Sequence, residues 1–164
     1  MRVLAQWRAF DEPATAQAAQ TLLSSESWLR SASVVEAAAA LGWVVTDFDP
    51  EWPDLGAFLD TGHGLGPMSA FFDTDDNGRV QSISMNLTER LPAGDPEVAA
   101  FKQDAFASAA AVLTGLFGRP TDSFPGAEPQ LWWRREATAL GLITKDDTVG
   151  LQFTPQELMV GEWG

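Results

Sequence analysis

The stretch that most constrains the fold is "GDPEVAAFKQDAFASAAAVLTGLFGRP", residues 94–120, because its ends and its apolar spacing all indicate one long helix. Asp95 suits the N-cap, Pro96 the first helical position, and Gly118 followed by Pro120 ends the helix. Its apolar residues form one stripe at helical spacing: Val98, Phe101, Ala105, Ala109, Val112, Leu113, Leu116 and Phe117. We predict a core helix of about six turns over residues 96–117, long enough to cross a β-sheet from edge to edge.

Short strands joined by hairpins are predicted on both sides of this helix. The candidates "QLWWRRE", "TALGLIT" and "TVGLQFT" follow it, and "KDD" connects the last two. Upstream, "WVVTDF" has the composition of a strand. Residues 67–88 predict a hairpin around Asn77 and Gly78, because both residues tolerate the positive φ of a type I′ turn.

Shorter helices are predicted near the start of the chain. Pro13 opens one helix, and Ser33 with Glu36 forms a capping box for a second helix that ends at Gly42. The segment "DPEWPDLGAFLDTG" predicts a further short helix with Leu55, Phe58 and Leu59 on one face, and residues 3–10 fit either a strand or a helix. Hairpin-linked strands with grouped helices predict an α+β fold, an antiparallel β-sheet covered by helices, in a single domain over residues 1–164.

Charge and composition limit the classes of function. Ten Lys and Arg residues against 23 Asp and Glu residues give a net charge of −13, which argues against nucleic acid or an anionic membrane as a direct partner. The charge favours a cationic protein partner, or solubility alone. The chain has no Cys, so disulfides and thiol chemistry are excluded. We expect a cytoplasmic protein, because the N-terminus lacks the apolar region of a signal peptide.

One short segment matches part of a calcium-binding loop. Asp73, Asp75, Asn77 and Gly78 have the spacing of the first EF-hand ligands and the turn glycine. The twelfth position is Ser84, which cannot supply the bidentate carboxylate, and the flanking residues favour strands rather than helices. We therefore predict an acidic hairpin tip and no metal site.

Catalytic motifs are missing from the sequence. The single histidine, His63, lies in the glycine-rich segment "TGHGLG" with no nucleophile or metal motif around it. Asp60 and His63 could both contact a metal ion, but two ligands do not make a site. We predict a protein that is not an enzyme and needs no cofactor.

The segment "DFDPEWPD" is the strongest candidate for a binding site. Trp52 lies between two prolines, and tryptophan is enriched among the residues that dominate binding energy. The sequence leaves open whether Trp52 is such an anchor or folds back onto the sheet. The candidate partner-binding residues are this tryptophan, the acids around it, and the hairpin acids as support: Asp47, Asp49, Glu51, Trp52, Asp54, Asp73, Asp75 and Asp76.

About two thirds of the chain resembles a group of small actinobacterial proteins of uncharacterised function. The resemblance lies in the order of "ALGWVVTDF", a long Ala-rich helix ending in "LFGRP", the strand "QLWWRRE", and the short strands "ATALGLIT" and "TVGLQFTP". Proteins of this kind are similar to the immunity proteins of bacterial polymorphic toxins, which bind a toxin domain and block it.

The charge and the resemblance lead to the same expectation. We expect a non-enzymatic inhibitor of the immunity type that neutralises a cognate toxin domain through acidic loops, which mimic phosphate in a cationic cleft. Two alternatives remain open. A secretion or folding chaperone would have a homodimeric apolar face, and a small enzyme would have a pocket holding His63 and a carboxylate.

Overall fold

A computed structural model of the chain describes residues 7–163, with side chains to residue 159. Within these residues the helices are α1 (Glu12–Leu23), α2 (Val34–Leu41), α3 (Pro96–Phe117) and α4 (Gln156–Trp163). The strands are β1 (Val44–Asp47), β2 (Ala57–Asp60), β3 (Ala70–Thr74), β4 (Val80–Asn86), β5 (Asp122–Phe124), β6 (Gln130–Arg134), β7 (Thr138–Thr144) and β8 (Val149–Pro155). Part of the ambiguous segment 3–10 lies outside the described residues, and Ala9 forms an isolated bridge with Thr88.

All eight strands form one antiparallel sheet in the order β1-β2-β3-β4-β8-β7-β6-β5. The first four strands run as a meander, and the last four form a second meander in the reverse direction. The two halves meet where β4 pairs with β8, the final strand within the described residues. The α+β fold with an antiparallel sheet covered by helices is therefore confirmed.

The long helix α3 has the predicted bounds and caps. The Asp95 carboxylate accepts a hydrogen bond from the Glu97 amide at 2.8 Å, and Gly118 ends the helix with φ 83°. The helix packs against α1 and against β7 and β8. The predicted stripe is wrong at Leu116, whose side chain is exposed, whereas Phe106 packs against the core. Helical spacing alone did not identify Phe106, because the buried face of α3 is set by its packing against α1 as well as against the sheet.

The capping box of α2 is confirmed. The Ser33 hydroxyl accepts a hydrogen bond from the Glu36 amide at 3.2 Å, and the Glu36 carboxylate accepts one from the Ser33 amide at 2.9 Å. The helix ends at Gly42, which has φ 74°. These local signals act within one turn of the chain, so they do not depend on distant packing.

The helix predicted within residues 49–62 is wrong. A 3₁₀ turn, Pro53–Leu55, is followed by Gly56 with φ 80° and then by β2. A Cβ at Gly56 would lie 2.4 Å from the Phe71 ring, so the close approach of β3 requires glycine there. Leu59 is buried and its neighbour Phe58 is half-buried on the opposite face of the strand, as strand alternation requires.

The two faces of the sheet differ in their covering. The face toward α1, α2 and α3 carries the main core, whose large side chains include Leu59, Phe72, Ile83, Leu113, Leu140, Leu142, Leu151 and Phe153. On the other face Trp132 is fully buried with Ala139, Ile143 and Met159 of α4. The rest of that face carries partly exposed side chains such as Phe71, Ser84 and Gln152.

Candidate protein-binding surface

Hydrogen bonds join the acidic loop 48–56 to the tip of the β3–β4 hairpin. The Thr74 hydroxyl donates to the Pro53 carbonyl at 2.5 Å and accepts from the Gly56 amide at 3.0 Å. A Cβ at Gly78 would lie 3.0 Å from the Pro53 Cβ, so the two backbones meet closely. The structure therefore brings together two acidic segments that are about twenty residues apart in the chain.

Further bonds inside the loop fix the position of Trp52. The Asp49 carboxylate accepts from the Glu51 amide at 2.9 Å, and the Asp49 carbonyl accepts from the Trp52 amide at 3.0 Å. The Leu55 amide then donates to the Trp52 carbonyl at 3.1 Å. This series of short turns holds the backbone of the loop around Trp52.

The side chains of Trp52 and Leu55 project into solvent. Trp52 is 60% exposed and Leu55 is 69% exposed, so Trp52 does not fold back onto the sheet. An exposed tryptophan leaves a large apolar area in water, and such a residue on a fixed loop is typical of a binding anchor. Sequence reasoning missed Leu55 because it placed that residue on the apolar face of a helix.

The hairpin acids have different surroundings. The Asp75 carboxylate accepts from the amides of Asn77 and Arg79, both at 2.9 Å, so it holds the turn together. Of the turn pair, Gly78 has a positive φ and Asn77 does not, so the predicted type I′ geometry is wrong. The Asp75 side chain forms the turn through its own hydrogen bonds to the backbone instead.

Asp73 lies away from the tip, and Asp76 lies on it. The Asp73 carboxylate accepts from the Ser82 hydroxyl at 2.7 Å across the β3–β4 pair, on the face of the sheet opposite the main core. Asp76 is exposed at the tip. Asp73 and Asp75 are therefore engaged within the hairpin, whereas Asp76 extends the acidic surface of the loop.

We define the Trp52 surface as the exposed residues of this junction. Its apolar part is Trp52 with Leu55, and acidic side chains surround that part in sequence and at the neighbouring tip. The members are Asp47, Asp49, Glu51, Trp52, Asp54, Leu55 and Asp76, all of them exposed. A surface of this kind combines an apolar anchor with a charged rim, which is the usual anatomy of a protein interface.

His63 does not lie in an enclosed polar site. Its side chain is exposed, and its ring packs on Phe10 with 4.9 Å between ring centroids. The nearby Asp60 carboxylate accepts from the Gly62 amide at 2.8 Å, so it holds the loop rather than the histidine. Among residues 7–159, whose side chains the structure describes, no group of three or more His, Asp or Glu residues could hold a metal ion.

Other exposed apolar side chains are spread over several elements. Besides Trp52 and Leu55, the large ones are Val35, Val44, Met68, Leu116, Phe124 and Leu158. They lie on α2, β1, α3, β5, α4 and the loop before β3. Within the described part of the chain, no helix is both long and apolar enough to cross a bilayer.

Comparison with known proteins gives a family but no activity. The chain is similar to the crystal structure of a DUF4309 family protein (YjgB) from Bacillus subtilis, with a TM-score of 0.42 and 9% sequence identity, over 85% of this chain and 97% of that one. A search of curated proteins gave no match. A family model described as "Family of unknown function (DUF6301)" matches residues 21–155, most of the chain, and the protein therefore belongs to that family.

Proposed function

We propose that this protein is a non-enzymatic inhibitor of the immunity type, which binds a cationic protein domain through the Trp52 surface. The observation that carries the proposal is the exposure of Trp52 and Leu55 on a loop fixed by hydrogen bonds. A fixed loop loses little conformational freedom on binding, so more of the contact energy is retained as affinity.

The acidic rim supports a cationic partner. The net charge of −13 attracts a positive domain over several ångströms and speeds the encounter between the two. A toxin domain that acts on nucleic acids or nucleotides has a cationic cleft of this kind. Carboxylates such as Glu51 and Asp54 would occupy it as phosphate mimics, while Trp52 fills an apolar pocket beside it. The proposal includes action in the cytoplasm, where such a toxin finds its targets.

The test measures the contribution of the acidic side chains to binding separately from that of Trp52. A partner is first isolated with the tagged full-length protein from cells that express it, and its binding is measured by surface plasmon resonance at two salt concentrations. We expect Trp52→Ala to lower affinity by about thirtyfold, close to 2 kcal/mol, mainly through faster dissociation. Val35→Ala is the matched control, because Val35 is 70% exposed on α2 and lies outside the Trp52 surface.

The contribution of charge is tested by reversing acidic residues whose side chains do not hold the loop together. The Asp49 carboxylate holds the Glu51 amide, so the charges are reversed at Glu51 and Asp54 instead. Glu51→Lys with Asp54→Lys should slow association and flatten its salt dependence. The control is Asp104→Lys with Glu136→Lys, two exposed acids on α3 and after β6, which should change association far less.

Three outcomes would contradict the proposal. Unchanged binding of both the Trp52→Ala and the Glu51/Asp54 variants would place the interface elsewhere. A search that recovers only further copies of this chain would favour a homodimeric chaperone. A purified protein that converts a substrate, and loses more than about a hundredfold of that activity with His63→Ala, would favour an enzyme.

A further inference from the structure

A cavity opens where the ends of α1 and α3 meet the ends of β6 and β7. Its volume is about 170 Å³, and its floor is apolar, formed by Leu23, Phe117, Trp133 and Leu140. Trp133 and Leu140 are buried, and the Trp133 indole donates to the Gly118 carbonyl at 2.9 Å. The floor is therefore rigid. An apolar cavity of about 150 Å³ can hold one benzene ring, so this cavity has room for a single ring.

The rim of this cavity is cationic. Arg119, Arg134 and Arg135 line it, three of the ten Lys and Arg residues in a chain of net charge −13. Solubility of an acidic protein does not explain why three arginines lie around one apolar cavity. Whether the rim attracts an anion depends on how many of these arginines already have an acidic partner.

Two of the three arginines are already paired. Arg134 donates two hydrogen bonds to the Asp122 carboxylate, at 2.9 and 3.0 Å. Arg135 lies 3.5 Å from the Glu26 carboxylate. Each of these two guanidinium groups therefore already has an opposite charge beside it.

Arg119 is different. It follows Gly118 directly and lines the cavity with an exposed side chain. Among the residues that the structure describes, no carboxylate or carbonyl pairs with its guanidinium. The rim therefore offers one uncompensated positive charge above an aromatic and aliphatic floor.

We propose that this cavity binds a small aromatic carboxylate. Its carboxylate pairs with Arg119, and its ring lies on the apolar floor formed by Leu23, Phe117, Trp133 and Leu140. Guanidinium groups bind carboxylates through two parallel hydrogen bonds, and the apolar floor selects against fully hydrated anions such as inorganic phosphate. The site lies at the β5–β6 end of the sheet, whereas the Trp52 surface lies at the β2–β3 end. The test of this cavity is therefore independent of the test of the Trp52 surface.

Benzoate titration of the full-length protein tests this site. The ¹⁵N-labelled protein gives an indole resonance for Trp133, which is assigned through its contacts with the Leu140 methyl groups. Benzoate at constant ionic strength should shift this resonance saturably, with a Kd on the order of 1 mM. Neutral benzamide, which has the same shape, should bind at least about tenfold more weakly than benzoate. Inorganic phosphate should leave the resonance unshifted.

Two variants test whether Arg119 supplies the positive charge that binds the benzoate carboxylate. Arg119→Gln should weaken benzoate binding about tenfold or more, because it removes a charge-assisted pair. Lys145→Gln is the matched control, since Lys145 is exposed outside this cavity, and it should leave the affinity unchanged. The proposal is overturned if benzoate gives no saturation up to about 20 mM, or if benzamide or phosphate binds as well as benzoate. Equal affinity in Arg119→Gln and the unmodified protein, or equal losses in Arg119→Gln and Lys145→Gln, would also overturn it.

Discussion

Gly141→Ala should destabilise the protein, although alanine normally suits a strand better than glycine. Gly141 lies in the middle of β7, directly opposite Trp132 on β6. A Cβ at this position would lie 2.7 Å from the Cη2 and Cζ3 atoms of the Trp132 ring. That distance is far below van der Waals contact, so either the ring or the strand must move.

The ring has little room to move. Trp132 has no exposed surface, its indole donates to the Gln130 side chain at 3.1 Å, and Met159 of α4 packs in the same cluster. Overpacking of this kind costs about 1–3 kcal/mol. The gain of about 0.4–1 kcal/mol from restricting the unfolded chain offsets only part of it. These two figures leave a net loss of about 0–2.6 kcal/mol, and a loss of about 1–2 kcal/mol would lower Tm by roughly 2–8 °C in a chain of this size.

The assay compares two chemically identical substitutions by calorimetry and urea unfolding. Gly115 lies on the exposed side of α3, and a Cβ there would have no atom within 4 Å. Gly115→Ala should therefore stabilise the protein through helix propensity, by at most about 1 kcal/mol because Gly115 lies in the last turn of α3. The same change thus has opposite signs at the two sites.

A second variant tests the proposed cause. In a Trp132→Leu background the ring is gone, so Gly141→Ala should destabilise much less than it does alone. The reasoning is refuted if Gly141→Ala leaves Tm unchanged or raises it. It is also refuted if the loss is the same in both backgrounds.

Three further predictions concern charge and capping. The hydrogen bond from Arg134 lowers the pKa of Asp122 in the folded protein. The ionised Asp122 carboxylate therefore contributes its full stabilisation above the unfolded-state pKa of about 3.9, and this stabilisation is lost as the pH falls through the folded-state pKa. Asp122→Asn should therefore lower the urea midpoint at pH 7, by an amount that shrinks below about pH 4. The hydrogen bond with Asp146 raises the pKa of Glu128, so ionisation of Glu128 opposes folding as the pH rises through its folded-state pKa. Glu128→Gln should raise the midpoint at pH 7 and have no effect below about pH 4. Ser33→Ala removes the N-cap of α2 and should lower the free energy of unfolding by about 1 kcal/mol at pH 7, measured by urea unfolding.

Elements with signals inside one or two turns of the chain could be predicted from the sequence. The bounds of α3 followed from Asp95, Pro96 and Gly118, and the hairpin followed from its alternating strands around Gly78. These signals act through neighbouring backbone groups, so no distant contact can easily override them.

Features that depend on distant contacts could not be predicted. Gly56 interrupts an apparent helix because the Phe71 ring and the Phe72 carbonyl occupy the space that a Cβ would need there, and both belong to another strand. The position of the loop that carries Trp52 depends on the hydrogen bonds of Thr74 to Pro53 and Gly56, which belong to a distant part of the chain. The cationic cavity combines α1, α3 and β6, so no window of sequence contains it.

The central position of β8 has a consequence for how the chain folds. Residues 83–86 of β4 pair with residues 150–153 of β8, about seventy residues later, so the two halves of the sheet can join only after β8 has been synthesised. Until then the edge of β4 is unpaired, and its apolar residues Ile83 and Met85 lack their partners. This high contact order favours slow folding and leaves a partly synthesised chain prone to aggregate. A chaperone that holds the nascent chain would protect that edge until synthesis is complete.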